Sequence, residues 1–247
     1  MMSVLLMRLA GPMQSWGTQS RFAMRDTGLE PSKSGVVGLL CAALGRARHE
    51  TVEDLAGLRM AVRVDREGIL ASDYQTAGGE HRTGSVLGHD EKGRAIPYGV
   101  RKADGSAPDT VVSWRHYLAD ADFLVGLAGE DRDLLACLHA ALTRPVWPLA
   151  LGRKSYVPAV PPYLPDGLRH QQDLLTTLST WPWKRPPRDR PKRLRLVVDT
   201  DDPAEGVARQ DVPLSFSGRR FSVRHVCTKW LNTDDLPQPD PEAATCI

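Results

Sequence analysis

The first apolar side chains form a short run, Val4-Leu5-Leu6-Met7-Arg8-Leu9, interrupted only by Arg8 and stopped by Ala10-Gly11-Pro12. A short apolar run closed by a turn signal predicts a buried strand. Residues 11–31 lose all periodicity and contain Gly11, Pro12, Gly17, Gly28 and Pro31. They predict a long loop, and long ordered loops often carry function. Ser32 is a good N-cap for a helix from Lys33 to about Leu44. Within that helix Gly35, Gly38, Ala42 and Gly45 make a stripe of small residues. Glycine lowers helix propensity, so the stripe predicts close approach to a sheet or a ligand.

Leu58 to Asp65 alternates as a strand does, Arg66-Glu67-Gly68 turns the chain, and Ile69 to Thr76 reads as the hairpin partner. Residues 77–112 carry seven glycines, two prolines and many charges, so no core can form there. They predict a polar insertion, either a long hairpin leaving the body or a mobile flap. Trp114 to Ala128 predicts the next strand. Asp131 to Leu142 predicts an amphipathic helix with acidic residues near its N-terminus, where the helix dipole favours them. One further strand near Trp147–Leu151 would complete a ferredoxin-like split βαβ pattern. Proline-rich stretches follow at 155–165 and 181–191, with strands at Leu194–Val198 and Phe221–Val226 in a smaller second half. From Asn232 the chain is acidic and proline-rich, which predicts disorder. The expected class is α+β. It comprises a ferredoxin-like domain over 1–150 with the insertion at 77–112, a reduced β-rich region over 151–232 and an acidic tail over 233–247.

Composition then narrows the class. At 41% hydrophobic and 25% charged, the 247 residues can build a core, which excludes whole-chain disorder. The formal net charge of +2 excludes a polycation, but the charges are unevenly placed. Residues 1–50 sum to +3, 51–118 to −1, 119–143 to −4, 144–229 to +8 and 230–247 to −4. Local basic surplus is compatible with nucleic-acid binding, and equally with a mixed solvated surface. The four cysteines, Cys41, Cys137, Cys227 and Cys246, form no CxxC spacing, so a zinc knuckle or disulfide framework is not expected. The longest apolar run, Val36 to Gly45, is far below the roughly 18 residues of a membrane span. Met1 to Met7 lacks the basic n-region of a signal peptide. A cytoplasmic protein with no membrane partner is expected.

Three constellations suit anion or RNA contact. Pro31-Ser32-Lys33-Ser34-Gly35 opens a helix whose N-terminal N–H groups can bind an anion; an ordinary N-cap is the alternative. Leu151-Gly152-Arg153-Lys154-Ser155-Tyr156 combines a glycine, two bases, a hydroxyl and an aromatic ring, suited to phosphate contact and stacking; an exposed turn is the alternative. Phe216-Ser217-Gly218-Arg219-Arg220-Phe221, continued by Arg224 and His225, interleaves aromatic and basic residues; a basic edge strand is the alternative. No histidine falls in HExxH, no GxSxG is present, and no cysteine lies in a nucleophile motif. RNA cleavage needs only a general base and cations, so the seven histidines leave that chemistry open.

Four segments together carry a resemblance: Arg8 to Gly17 (RLAGPMQSWG), Pro31 to Gly45 (PSKSGVVGLLCAALG), Trp114 to Phe123 (WRHYLADADF) and Leu151 to Pro158 (LGRKSYVP). In content and order the chain resembles the CasD subunits of type I-E CRISPR surveillance complexes (Cascade) over residues 3–165, and more weakly beyond. The resemblance implies a ferredoxin-like (RRM-like) RAMP domain whose 77–112 insertion is a protruding β-hairpin thumb. It implies no cofactor and a non-catalytic role, holding the 5′ handle of the CRISPR RNA and capping the backbone-subunit filament. Partners would be that RNA, the filament and large subunits, and target DNA indirectly. On matched positions the RNA-binding candidates are Gln14, Trp16, Gly17, Arg25, Ser32, Lys33, Ser34, Gly35, Arg101, Gly152, Arg153, Lys154, Ser155, Tyr156, Arg219 and Arg220. Lys33, Arg153 and Lys154 would meet phosphates, and Trp16 or Tyr156 would stack on bases. Tyr156 departs from the Cys or small residue expected there. A CasD relative of another subtype looks like the enzyme that processes precursor RNA, so a metal-independent endoribonuclease is the alternative. An unrelated enzyme on the same scaffold is a third reading.

Overall fold

The computed structural model describes residues 2–18, 23–78, 86–89, 91–97, 110–183 and 191–237. In chain order the elements are β1 (Ser3–Ala10), β2 (Met13–Gln14), β3 (Met24–Arg25), α1 (Lys33–Leu44), α2 (Glu53–Ala56), β4 (Arg59–Arg66), β5 (Ile69–Gly78), β6 (Val86–His89), β7 (Ala95–Pro97), β8 (Thr110–Ala119), β9 (Asp122–Gly129), α3 (Arg132–Thr143), β10 (Tyr163–His170), α4 (Leu174–Thr180), β11 (Arg193–Thr200), β12 (Val207–Ser215) and β13 (Arg220–Asn232). The chain is α+β. Seven strands form one antiparallel sheet in the order β10-β1-β9-β4-β11-β13-β12. A smaller sheet joins β2, β8 and β3, with β5 on β8. β6 and β7 pair with each other.

The apolar run of β1 follows from its central position, since both faces of the strand are covered. Leu5, Met7 and Leu9 join α1 and α3 in the larger core, with Met60, Val62, Phe123 and Val125. Val4 and Leu6 face the other way and join Ala61, Leu124, Leu196 and the α4 residues Leu174 and Leu178. Arg63 lies fully buried on this second face. It donates to the Leu178 carbonyl at 2.6 Å and the Trp181 carbonyl at 2.7 Å, satisfying the end of α4, and pairs with Asp65.

Several expectations need correction. Ile69–Thr76 is a strand but not the hairpin partner of β4, because β9 and β11 already occupy both edges of β4. Gly68, at φ 75°, turns the chain out of the main sheet, and β5 pairs with β8 along its whole length. Trp114 to Ala128 is two strands, broken where Asp120 adopts φ 56°. No strand occupies 147–151; the strand that pairs with the free edge of β1 is β10, which begins at the end of the proline-rich stretch. Pro165 is tolerated because β10 is an edge strand, where a missing N–H leaves no ladder bond unmade. β12 and α4 went unforeseen. Within 151–232, β10 through β13 belong to the same sheet as β1. Of the tail, Thr233–Asp235 forms a 3-10 turn and Leu236 is buried beside Trp183 and Leu194. Residues 238–247 and the greater part of 77–112 lie outside the described residues.

The last three strands are held to α1 by buried charge. Asp211 of β12, with no solvent exposure of its carboxylate, accepts from the Lys33 backbone N–H at 2.8 Å and from Arg224 Nε of β13 at 2.7 Å. Arg224 also pairs with Asp199 of β11. Asp199 accepts from the Met60 backbone N–H at 2.9 Å and lies 3.6 Å from Lys33 Nζ. Beside this quartet, buried Glu30 pairs with both Arg195 and Arg209.

Removing Asp211 takes one of the two carboxylates from buried Arg224 and leaves the Lys33 N–H of α1 unpaired. Asp211→Ala is therefore expected to lower unfolding stability by about 3–5 kcal/mol, read from the urea midpoint. Burial pushes the Glu30 carboxyl up, but Arg195 and Arg209 outweigh it and hold the group below its ordinary range. Its stabilisation is present above the ordinary carboxylate pKa of about 4.3 and is lost as pH falls through the lower folded value. Glu30→Gln should flatten this acid limb of the stability-against-pH curve.

Candidate nucleic-acid interface

Two of the loops singled out by sequence meet in space. Ser15 N–H donates to the Leu151 carbonyl at 3.0 Å, and Leu151 N–H donates to the Tyr156 carbonyl at 2.8 Å. Gly152 adopts φ +92°, and a Cβ there would lie 1.8 Å from the Ser15 carbonyl oxygen. Only glycine permits that approach. The His116 carbonyl of β8 accepts from Ser15 Oγ at 3.2 Å and from Arg153 at 3.1 Å. Arg153 also donates to the Tyr156 hydroxyl at 2.8 Å and to the Arg25 carbonyl at 3.4 Å. One guanidinium thus joins the 151–156 loop, β3 and β8. Around this junction Gly17, Arg25, Gly152, Lys154 and Ser155 are exposed.

Other candidates lie beneath this surface. Trp16 is only 1% exposed and belongs to the core, so it offers no face to a base in this conformation. Its Nε1–H donates to Gln14 Oε1 at 3.2 Å, and Gln14 Nε2 donates to the Leu9 and Ala121 carbonyls. Gln14 is thereby fully engaged inside the fold. Tyr156, 5% exposed, is likewise a core residue, with Tyr117 at 6.0 Å and Arg153 over its ring. In this structure both rings support the two loops from within.

The helix N-terminus is also a correction. Ser32 is the N-cap: its Oγ accepts from Gly35 N–H at 3.2 Å, and Ser34 Oγ lies 3.4 Å away. The Lys33 N–H, which a phosphate would need, is taken by Asp211. The Lys33 ammonium is buried beside Asp199; burial, and then Arg224, lower its pKa against the pull of Asp199 and Asp211. An internal carboxylate fills the place expected for the RNA. The glycine stripe serves packing: a Cβ on Gly35 would strike the Trp16 ring at 2.8 Å, and Gly38 faces Phe216.

Arg219 and Arg220 are exposed on the β12–β13 turn. That turn is tied by Ser217 N–H to the Arg48 carbonyl, beyond the C-terminus of α1, so it joins the opposite end of the helix from Ser32–Gly35. Arg224, expected with them, is internal. Arg101 lies outside the described residues. Sequence reasoning missed the role of β8, whose carbonyl at His116 anchors both loops. The WRHY segment was its only signal.

Residues 4–227 match the family described as CRISPR-associated protein (Cas_Cas5), and the chain belongs to that family. It is similar to the CRISPR system Cascade subunit CasD of Escherichia coli (strain K12), 36% identical over 160 residues, 63% of this chain and 67% of that protein. A structure titled "Crystal structure of Cas protein" superposes with a TM-score of 0.72 at 43% identity, covering 96% of this chain and 100% of that one. A chain of a "CRISPR RNA-guided surveillance complex" gives 0.71 at 32% identity, covering 96% and 95%.

Gly152→Ala forces a clash as well as a positive φ. It is expected to lower stability by about 2 kcal/mol or more. The neighbouring Lys154→Ala should stay within about 0.5 kcal/mol. Paired urea unfolding curves test the contrast.

Proposed function

We propose that the chain is a non-catalytic, CRISPR RNA-binding subunit of a type I-E Cascade complex that holds the 5′ handle of the guide RNA and caps the backbone-subunit filament. The observation that carries this reading is the junction of the 11–17 and 151–156 loops, locked at Gly152 and rimmed by exposed Arg25, Lys154 and Ser155. Rigid loops with exposed bases and N–H groups suit phosphate contacts, which position an RNA without reading its sequence. We read the β10-β1-β9-β4 order as a ferredoxin-like RAMP unit extended by β11, β13 and β12. The β5–β8 ribbon is then the base of the thumb. The other Cascade subunits are the protein partners in this reading, with target DNA reached through them.

A nuclease reading finds less support. His139 Nε2 bonds the Leu164 carbonyl at 2.9 Å and His170 Nδ1 lies 3.2 Å from Ser3 Oγ, so both serve the fold. Burial pushes the Cys41 thiol up to about 11, away from thiolate reactivity.

Lys33→Ala tests folding rather than RNA contact, because the side chain is internal. The informative variant is Arg25→Ala with Lys154→Ala in the reconstituted complex. It should assemble while losing RNA at lower salt, with the log–log salt slope reduced by about 1–1.5. Unchanged salt dependence would count against this rim. Incubation of the purified chain with repeat RNA in chelator should give no specific cleavage; a defined cut abolished by a single His→Ala change would establish the nuclease instead.

A further inference from the structure

The main sheet leaves half of β13 uncovered. The register of β12 on β13 ends with Val207 opposite Val226, while β13 runs on to Asn232. Among the described residues no strand pairs with that side of Cys227–Asn232. The ladder with β11 decides which backbone groups are left there. The Thr233 N–H donates to the Lys192 carbonyl at 3.0 Å, and bonded and unbonded pairs alternate along antiparallel strands. Carried along the continuous register from Arg193↔Asn232, the residues bonded to β11 are Leu231, Lys229 and Cys227. Thr228 and Trp230 therefore turn their N–H and C=O groups outward, beyond the start of β12. Both residues are exposed, Trp230 to 56%.

Open edges invite pairing, and proteins blunt them with proline, bulges and isolated charges. The two outer strands of this sheet show those devices. β10 carries Pro165 and a register shift against β1, and β12 carries Pro213 and two register shifts. The free half of β13 has neither proline nor shift. Its one charged side chain, Lys229, lines a pocket with Asp201, Asp202 and Glu205. Trp230 lies under the Arg193 guanidinium, 5.6 Å from the ring centroid, a contact that favours one placement of the indole.

A row of outward N–H and C=O groups is answered in full by one chemistry, an extended polypeptide backbone. A phosphate backbone supplies acceptors only and would leave both carbonyls unmatched. We infer that the free edge of β13 takes an extended segment of a neighbouring protein subunit as an added strand, with a β-branched or aromatic side chain set against Trp230. A second copy of this chain fits less well. The register that sets Thr228 against its Trp230 also sets Lys229 against Lys229, which like charges oppose. The inference rests on the reading of the chain as a subunit of a complex.

The test is residue-resolved amide hydrogen exchange on the chain alone and in the reconstituted complex. Alone, the Thr228 and Trp230 amides should exchange freely while those of Lys229 and Leu231 are protected. Assembly should slow Thr228 and Trp230 about a hundred-fold. Thr228→Pro removes only an outward N–H, which an edge tolerates, and should weaken assembly about ten-fold. A benzophenone-bearing phenylalanine in place of Trp230 should cross-link to a peptide of another protein subunit. Unchanged exchange of both amides in a complex that still holds its RNA overturns the added strand and leaves the RNA-binding reading standing. So does a cross-link to RNA. Protection in the chain alone also overturns it: if it rises with concentration a second copy is the occupant, and if it vanishes when the chain ends at Pro237 the occupant is the chain's own tail. A chain that joins no complex overturns both readings. Should Thr228→Pro fail to fold, exchange on the wild-type protein decides alone.

Discussion

Asp211 is the residue on which the arrangement of the whole chain depends. One carboxylate, wholly removed from water, ties the first N–H of α1 to Arg224 and, through it, to Asp199 and β4. Burying an ion pair gains little over an apolar packing, because desolvation offsets the attraction. What such a cluster does supply is register. Four strands and a helix can satisfy those charges in one arrangement only, so β11, β12 and β13 extend the sheet at a defined angle. Trp16 then packs against Gly35 at the start of α1, and the adjoining Ser15 meets Leu151 and Gly152.

The same cluster explains why charge counting along the sequence pointed partly the wrong way. The +8 surplus of residues 144–229 looked like an RNA surface. Arg195 and Arg209 belong to that surplus, and both turn inward onto Glu30, an acid counted in a different segment. Glu30 lies well over a hundred residues from its partners, and no local pattern announces such pairs. What remains for a ligand is a thinner set of cations, Arg25 and Lys154 foremost, placed by geometry rather than by abundance.

Legibility in the sequence followed the range of the forces involved. The helix at Lys33–Leu44 with Ser32 as cap, and the helix capped by Asp131, were readable because capping is local. β1 was readable because a strand covered on both faces leaves a nearly continuous apolar run. β5 was found as a strand but given the wrong partner, since pairing depends on which edges are already occupied. β10 was hidden by Pro165, which an edge position excuses, and by the prolines just before it. In the site, the loops were recognised from their residue types and from the family resemblance. Burial of Trp16, Lys33 and Tyr156 was not, because an aromatic or basic side chain in a loop reads alike whether it points out or in.

That inversion carries a mechanistic consequence. The residues that look most suited to grip RNA are the ones that shape the loop junction from beneath. Trp16 fills the space that Gly35 leaves open, and Gln14 holds its indole nitrogen. Tyr156 positions the Arg153 guanidinium, which in turn pins the carbonyls of Arg25 and His116. Each interaction removes rotamer freedom before any ligand arrives, and binding then costs less ordering of side chains. In the proposed reading, a rim of few cations holds one short RNA end because the loops beneath it are already rigid. Weak Coulomb attraction in water is compensated by geometry that need not be assembled on contact.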